Sequence, residues 1–325
     1  MGKRNTPPRS FNTIRHTQCE QRAKRKQKSR FVFLALCASL VLLAIVGLIT
    51  LICAIADGIA SAPPANNNSK DIIYKQFTKT ESGIEYGELI LINKDHKYTF
   101  PSTATSALVN MKEERDKLED KNIYAFSKSE KYLLNKTALD AFHDMMITYD
   151  EWSEGEGDVT VTTTYRTYEQ QESLSHKNSS SQKPGNSDHH SGYCVAIKPL
   201  SDSHWIYENC HKFGFVVRYP DDKSDITGIN DYKECLRYVG VAHATYMKEH
   251  GLCLEEYVEL LSQYPFDGEH LAVEGADGNS YEIYYVALSG KELTTVDVPS
   301  NYSYTLSGNN SDGFIVTVNL DDPIE

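Results

Sequence analysis

Twenty-six consecutive residues, Phe31 to Ala56, carry no charged side chain. At about 1.5 Å of helix rise per residue, such a run can cross a hydrocarbon layer of ~30 Å with some tilt. Ten Lys and Arg residues against a single acid, Glu20, precede it within residues 1–30. That asymmetry predicts a cytoplasmic N-terminus, a single membrane helix over 31–56, and an extracytoplasmic remainder. A cleaved signal peptide is the competing reading, but its apolar region is usually only about 7–15 residues long. A basic arm can serve nucleic acid; one that ends directly at an apolar run points to a membrane instead, so no nucleic-acid partner is expected.

The formal net charge is −12 over 325 residues, so the segment beyond the span is strongly acidic. Three of the seven cysteines, Cys19, Cys37 and Cys53, fall in the arm or the span. Cys194, Cys210, Cys235 and Cys253 fall outside, an even number in a disulfide-permissive compartment. Residues 57–85 begin small and polar and read as a linker. Gly87 to Asn93 reads as a short strand, and 105–133 as an exposed helix with a connecting loop. Ala138, Leu139, Phe142, Met145, Met146 and Tyr149 recur at helical spacing behind Asn135 or Thr137 as N-cap, predicting an amphipathic helix with a core-facing stripe. Asp158 to Thr164 is strand-like by β-branching, and 172–186 a mobile loop. Strands are expected near 193–197, 213–220 and 236–239, with helices at 205–212, 241–250 and 254–263. After Pro265, short alternating runs between polar turns predict a small all-β domain over 265–325.

The most specific patterns are Ser187-x-His189-x-x-Gly192, Tyr165-Arg166-Thr167-Tyr168-Glu169 and Arg237-Tyr238-Val239-Gly240. Residues 86–264, which carry them, resemble the VanY-type D-alanyl-D-alanine carboxypeptidases, zinc peptidases that trim peptidoglycan stem peptides. The resemblance implies an α+β fold of the DD-peptidase and hedgehog type, a mixed sheet with helices packed on one side and a cleft on the other. In that family the first motif reads S-x-H-x(6)-D and the second E-P-W-H-x-R-Y-V-G. Here His189 stands as the retained zinc ligand. Ala196 replaces the ligand aspartate, Cys235 the ligand histidine, and Tyr232 the general-base glutamate. The resemblance further implies that Arg166, Gln171 and Ser187 bind substrate, with Arg166 suited to a peptide carboxylate through its planar guanidinium.

A catalytic zinc needs three protein ligands and a carboxylate to relay a proton. Ala196 has no donor atom, and a phenol of ordinary pKa near 10 is a poor base near neutral pH. The expected protein is therefore a catalytically inactive relative, without zinc, that binds a peptidoglycan peptide ending in D-Ala-D-Ala or an envelope protein. Two alternatives stay open: an active zinc enzyme with an altered ligand set that uses Cys235, and a structural envelope protein with a vestigial cleft. The cysteines suggest disulfides 194–210 and 235–253, against free thiols or, for Cys235, a metal-bound thiolate.

Overall fold

The computed structural model describes residues 71–179, 181–199 and 204–324. The basic arm and the expected membrane helix lie outside these residues. Among the described residues no helix is long and apolar enough to cross a membrane. In chain order the strands are β1 (Tyr74–Thr80), β2 (Leu108–Asn110), β3 (Ala125–Phe126), β4 (Leu133–Asn135), β5 (Val159–Thr163), β6 (Cys194–Pro199), β7 (Phe215–Val217), β8 (Cys235–Tyr238), β9 (Leu271–Glu274), β10 (Ser280–Ala287), β11 (Leu293–Pro299), β12 (Tyr302–Gly308) and β13 (Gly313–Pro323). The longer helices are α1 (Lys136–Trp152), α2 (Tyr168–Lys177), α3 (Val241–His250) and α4 (Leu254–Leu261).

A five-stranded mixed sheet, ordered β3-β5-β6-β8-β7, organises the site. Only the β3–β5 pairing is parallel; the others are antiparallel. Successive side chains of a strand point to opposite faces. Val195 and Ile197 of β6, Leu236 of β8 and Val159 and Val161 of β5 accordingly share one core with α1. The expected stripe of α1 is that core: Ala138, Leu139, Phe142, Met145, Met146 and Tyr149 are all buried. Asn135 caps the helix by accepting from the Thr137 N–H at 2.9 Å. The opposite face of the sheet carries Cys194, Ala196 and Cys235, and that face builds the candidate site.

Several expectations are corrected. The segment read as a strand, 87–93, is irregular, although Leu89 to Ile92 are buried. Its polar groups find partners other than a neighbouring strand: the Glu88 and Ile90 carbonyls accept from Arg237 at 2.8 and 3.1 Å, and the Leu89 N–H donates to Ser307 Oγ at 2.9 Å. Of 105–133, only Met111–Arg115 is helical, between β2 and β3. The loop expected at 172–186 begins inside α2, whose N-terminus carries a capping box built by Thr167 and Gln170.

The chain from Lys70 onward forms one compact unit. Within the stretch read as a linker, β1 pairs with β11 along seven residues of antiparallel register. The four-stranded sheet β12-β13-β10-β9 contains the all-β character expected beyond Pro265. It is no separate body, however. Leu271, Ile283 and Ile315 share a core with Val239, Met247, Leu254 and Tyr257. His243 of α3 ties the two parts, with Nδ1 at 2.8 Å from Tyr257 Oη and Nε2 at 2.8 Å from Thr317 Oγ1. Short alternating runs look the same in sequence whether their inner face meets its own layer or a neighbouring helix.

Candidate functional site

His189 is held in a single 3-10 turn, Asp188–Ser191, that delivers the chain into β6. Gly192 ends that turn at φ 77°, and a Cβ there would lie 2.6 Å from a Leu108 methyl carbon. Both observations require glycine, because L side chains are disfavoured at such a φ and no space remains for one. The turn is thereby fixed, and His189 is buried, with Nε2 2.8 Å from Tyr232 Oη and 3.9 Å from Cys235 Sγ. Ala196 and Cys235 are direct partners across β6 and β8. The structure thus brings together all four positions that the sequence aligned with the metal site.

Burial, reinforced by the Arg166 charge, holds the His189 imidazole well below the usual histidine range, with the Thr164 backbone acting against it. Burial likewise raises the Tyr232 phenol far above its ordinary range. A neutral imidazole therefore meets a neutral phenol. Tyr232 is locked there by a stack on Tyr219, ring centres 5.7 Å apart and 16° from parallel. Tyr219 in turn packs under the Arg218 guanidinium, 4.7 Å from its ring centre.

Asp188, the residue between the two matched positions of the first motif, is the charge centre of the site and was not singled out as a functional residue from sequence. It is fully buried, as are its partners Arg218 and Arg237. Oδ2 accepts from Arg218 Nε at 2.6 Å, and Oδ1 accepts from Arg237 Nη1. Glu255 of α4 completes the set through two contacts to Arg218, at 2.8 and 2.9 Å. Two guanidinium groups thus face two carboxylates, which is the balance a buried ionic cluster needs. Arg237 belongs to the motif shared with the family; its fixed place in that motif was the one signal that a buried anion had to be near.

Arg166 lines an open cleft of about 720 Å³ together with Thr163, Tyr165, Glu169, Gln170 and Tyr232. Its Nη1 donates to Gln171 Oε1 at 2.8 Å and its Nε to Thr163 Oγ1 at 3.2 Å. The backbone is tied to the histidine turn: the Arg166 N–H donates to the His189 carbonyl at 3.2 Å, and His190 Nδ1 donates to the Arg166 carbonyl at 2.7 Å. The Gly185 N–H donates to His190 Nε2 at 3.2 Å. Gln171 is buried, and its Nε2 donates to the Gln182 carbonyl at 2.6 Å, so it orients Arg166 rather than lining the cleft. Ser187 is also fully buried and is not among the residues that line this cleft. Of the expected substrate trio, only the half-buried Arg166 lines this cleft, and Gln171 supports it from within.

Neither expected disulfide is present, and all four cysteines are buried free thiols. Cys194 and Cys235 instead face each other, Sγ to Sγ 3.4 Å, while Cys210 Sγ lies against the Tyr207 carbonyl and Cys253 caps α4. Register explains the difference: Cys194 is opposite Arg237 and Cys235 opposite Ala196, which leaves the two cysteines as same-face diagonal neighbours.

The zinc implied by the family resemblance does not fit these residues. Ala196 offers no donor, His189 Nε2 is engaged by Tyr232, and Asp188 is committed to two arginines. Among the described residues no group of three or more His, Cys, Asp or Glu side chains is arranged to hold a metal ion.

Known proteins match the stretch that carries this site. Residues 131–241 match the VanY family, D-alanyl-D-alanine carboxypeptidase. A D-alanyl-D-alanine carboxypeptidase of Enterococcus faecium is 32% identical over 258 residues, spanning 75% of this chain and 79% of its own. The putative carboxypeptidase YodJ of Bacillus subtilis strain 168 is 30% identical over 155 residues, 41% of this chain and 56% of its own. Among solved structures, the vancomycin-resistance D,D-dipeptidase VanXYg, in complex with a D-Ala-D-Ala phosphinate analogue, has the same fold. Its TM-score is 0.63 at 24% identity, over 76% of this chain and 99% of that one.

Proposed function

The chain belongs to the VanY D-alanyl-D-alanine carboxypeptidase family, and from that premise we propose that it binds cell-wall peptides ending in D-Ala-D-Ala without cleaving them. We place this activity on the outer side of the membrane, anchored by residues 31–56. One contact supports the loss of hydrolysis most directly: the Tyr232 hydroxyl, at the family's general-base position, closes on Nε2 of the one retained ligand, His189, at 2.8 Å. A phenol whose pKa is raised by burial holds its proton, so it cannot take one from water near neutral pH.

Retention of the cleft supports binding. Arg166 stays presented on its polar wall, oriented by Gln171, Thr163 and the His189–His190 backbone. A guanidinium so held is suited to a peptide's terminal carboxylate, and a charge-assisted contact contributes roughly 1.5–3 kcal/mol. Titration calorimetry with a D-Ala-D-Ala-ended pentapeptide tests this role. Arg166→Ala should raise Kd by about ten-fold or more, and amidating the peptide's C-terminus should weaken binding to the wild type similarly. An unchanged Kd in both cases refutes the role of Arg166; no binding by the wild type refutes peptide recognition and leaves a protein partner or a vestigial cleft.

One observation favours a second reading, an active zinc enzyme with altered ligands: Cys235 Sγ, a good zinc donor, lies 3.9 Å from His189 Nε2. Metal analysis of the protein purified without chelator separates the two. Stoichiometric zinc that disappears in Cys235→Ser would establish the enzyme reading.

A further inference from the structure

Cys194 and Cys235 occupy the sheet face where the family's metal would sit, and no step of the proposed peptide binding uses them. Their sulfurs are 3.4 Å apart, and Tyr219, Tyr232 and Ile229 pack around them. We propose that these two cysteines form a redox pair that closes to a disulfide, replacing the metal as the link between β6 and β8.

The geometry requires a modest movement. A disulfide bond is about 2.05 Å long, so the sulfurs must approach by roughly 1.4 Å from the 3.4 Å seen here. That movement falls at the start of β8, where Cys235 is the first residue of the strand and follows a turn. Asp231 in that turn adopts φ 58°, an uncommon backbone state for a non-glycine residue, so the strand begins directly after irregular backbone. The other two cysteines have different surroundings: Cys210 lies in the α1 core and Cys253 at the N-terminus of α4. Neither competes for either sulfur in the folded chain.

The exchange balances with a disulfide donor as oxidant. A Cys235 thiolate attacks one sulfur of the donor, RS–SR, giving a mixed disulfide and releasing RS⁻, which takes up the proton lost by Cys235. Cys194 then attacks the Cys235 sulfur, the protein disulfide forms, and a second RSH departs with the Cys194 proton. Two thiols are oxidised and one donor disulfide is reduced to two thiols. In the packed state both sulfurs are fully buried, out of reach of a donor disulfide. The exchange therefore belongs to folding, before β8 has docked and while the sulfurs are still reachable.

A digest with a glutamate-specific protease tests the pairing, because Glu208, Glu234, Glu249 and Glu255 separate the four cysteines into different peptides. The full chain is unfolded, refolded in a mixture of reduced and oxidised glutathione, blocked with iodoacetamide and digested without reductant. A second sample is the chain isolated from an exporting host, blocked and digested in the same way. The expected product in both is a single linked species, residues 173–208 joined to 235–249, which disappears on reduction. Its loss in Cys194→Ser and in Cys235→Ser, with the remaining cysteine recovered alkylated, confirms the assignment. Recovery of both cysteines as free alkylated thiols in the two samples overturns the proposal, as does linkage of Cys194 to Cys210 or of Cys235 to Cys253.

Discussion

Replacing Asp188 by asparagine removes one negative charge from a fully buried cluster while keeping its shape. Arg218 then retains Glu255 through two contacts, at 2.8 and 2.9 Å. Arg237 fares worse: it keeps only the carbonyls of Glu88, Ile90 and Tyr238, at 2.8, 3.1 and 3.1 Å. A buried guanidinium with no carboxylate is the uncompensated charge that costs about 3–5 kcal/mol when a partner is removed. Set against a typical stability of about 5–15 kcal/mol, that loss is large but need not abolish folding. The assay is urea unfolding followed by fluorescence or circular dichroism. With m near 3 kcal/mol/M for a unit of this size, the midpoint should fall by roughly 1–1.7 M at unchanged m. Glu255→Gln should cost about half as much, because Arg218 keeps Asp188 and the Glu255 side chain is 12% exposed. Asp188→Asn combined with Arg237→Met should recover part of the loss, since it removes the stranded charge as well as its partner. A loss below ~1 kcal/mol in Asp188→Asn would refute the reasoning, because it would mean that Arg237 does not depend on this carboxylate.

Acid should weaken the fold in a defined window. Burial lowers the His243 pKa from 6.5 to about 3. As pH falls below 6.5 the unfolded chain binds a proton that the folded chain refuses, so stability is constant above that pH and declines below it. The slope of ~1.4 kcal/mol per pH unit gives about 2 kcal/mol at pH 5 from His243. His189 and His190, also lowered by burial, act in the same direction. Denaturation midpoints at pH 7 and pH 5 check this, and His243→Gln should flatten part of the difference. Rebuilding the metal site should also succeed, because residues 196 and 235 are direct cross-strand partners beside His189. A chain carrying Ala196→Asp, Cys235→His and Tyr232→Glu should bind zinc at one ion per chain by metal analysis; no uptake would show that the frame itself has moved.

The parts of this molecule that were legible in the sequence are those encoded locally or by fixed spacing. The α1 stripe follows from side chains three and four residues apart, and β5 and β6 from β-branched alternation. Ser187, His189, Gly192 and the 237–240 run placed the metal-site frame because their spacing is local. The charge centre was hidden because Asp188 meets partners 30 and 49 residues away, and a buried aspartate looks like any other before the chain folds. Leu89 to Ile92 read as a strand because an apolar run does not reveal whether its carbonyls bond a strand or the arginines 218 and 237. The cysteine partners depended on strand register: a diagonal offset of two residues places Cys194 against Cys235, and no count of cysteines contains that information.

The central claim is that the cleft holds a D-Ala-D-Ala-ended peptide and leaves it intact. Its most direct test is to incubate the full chain with such a pentapeptide and excess zinc at neutral pH, then weigh the bound and free peptide by mass spectrometry. The account predicts saturable retention of the pentapeptide at its full mass, with no D-alanine released above the level in a protein-free control. Zinc-dependent conversion to the tetrapeptide, abolished by His189→Ala, would contradict it.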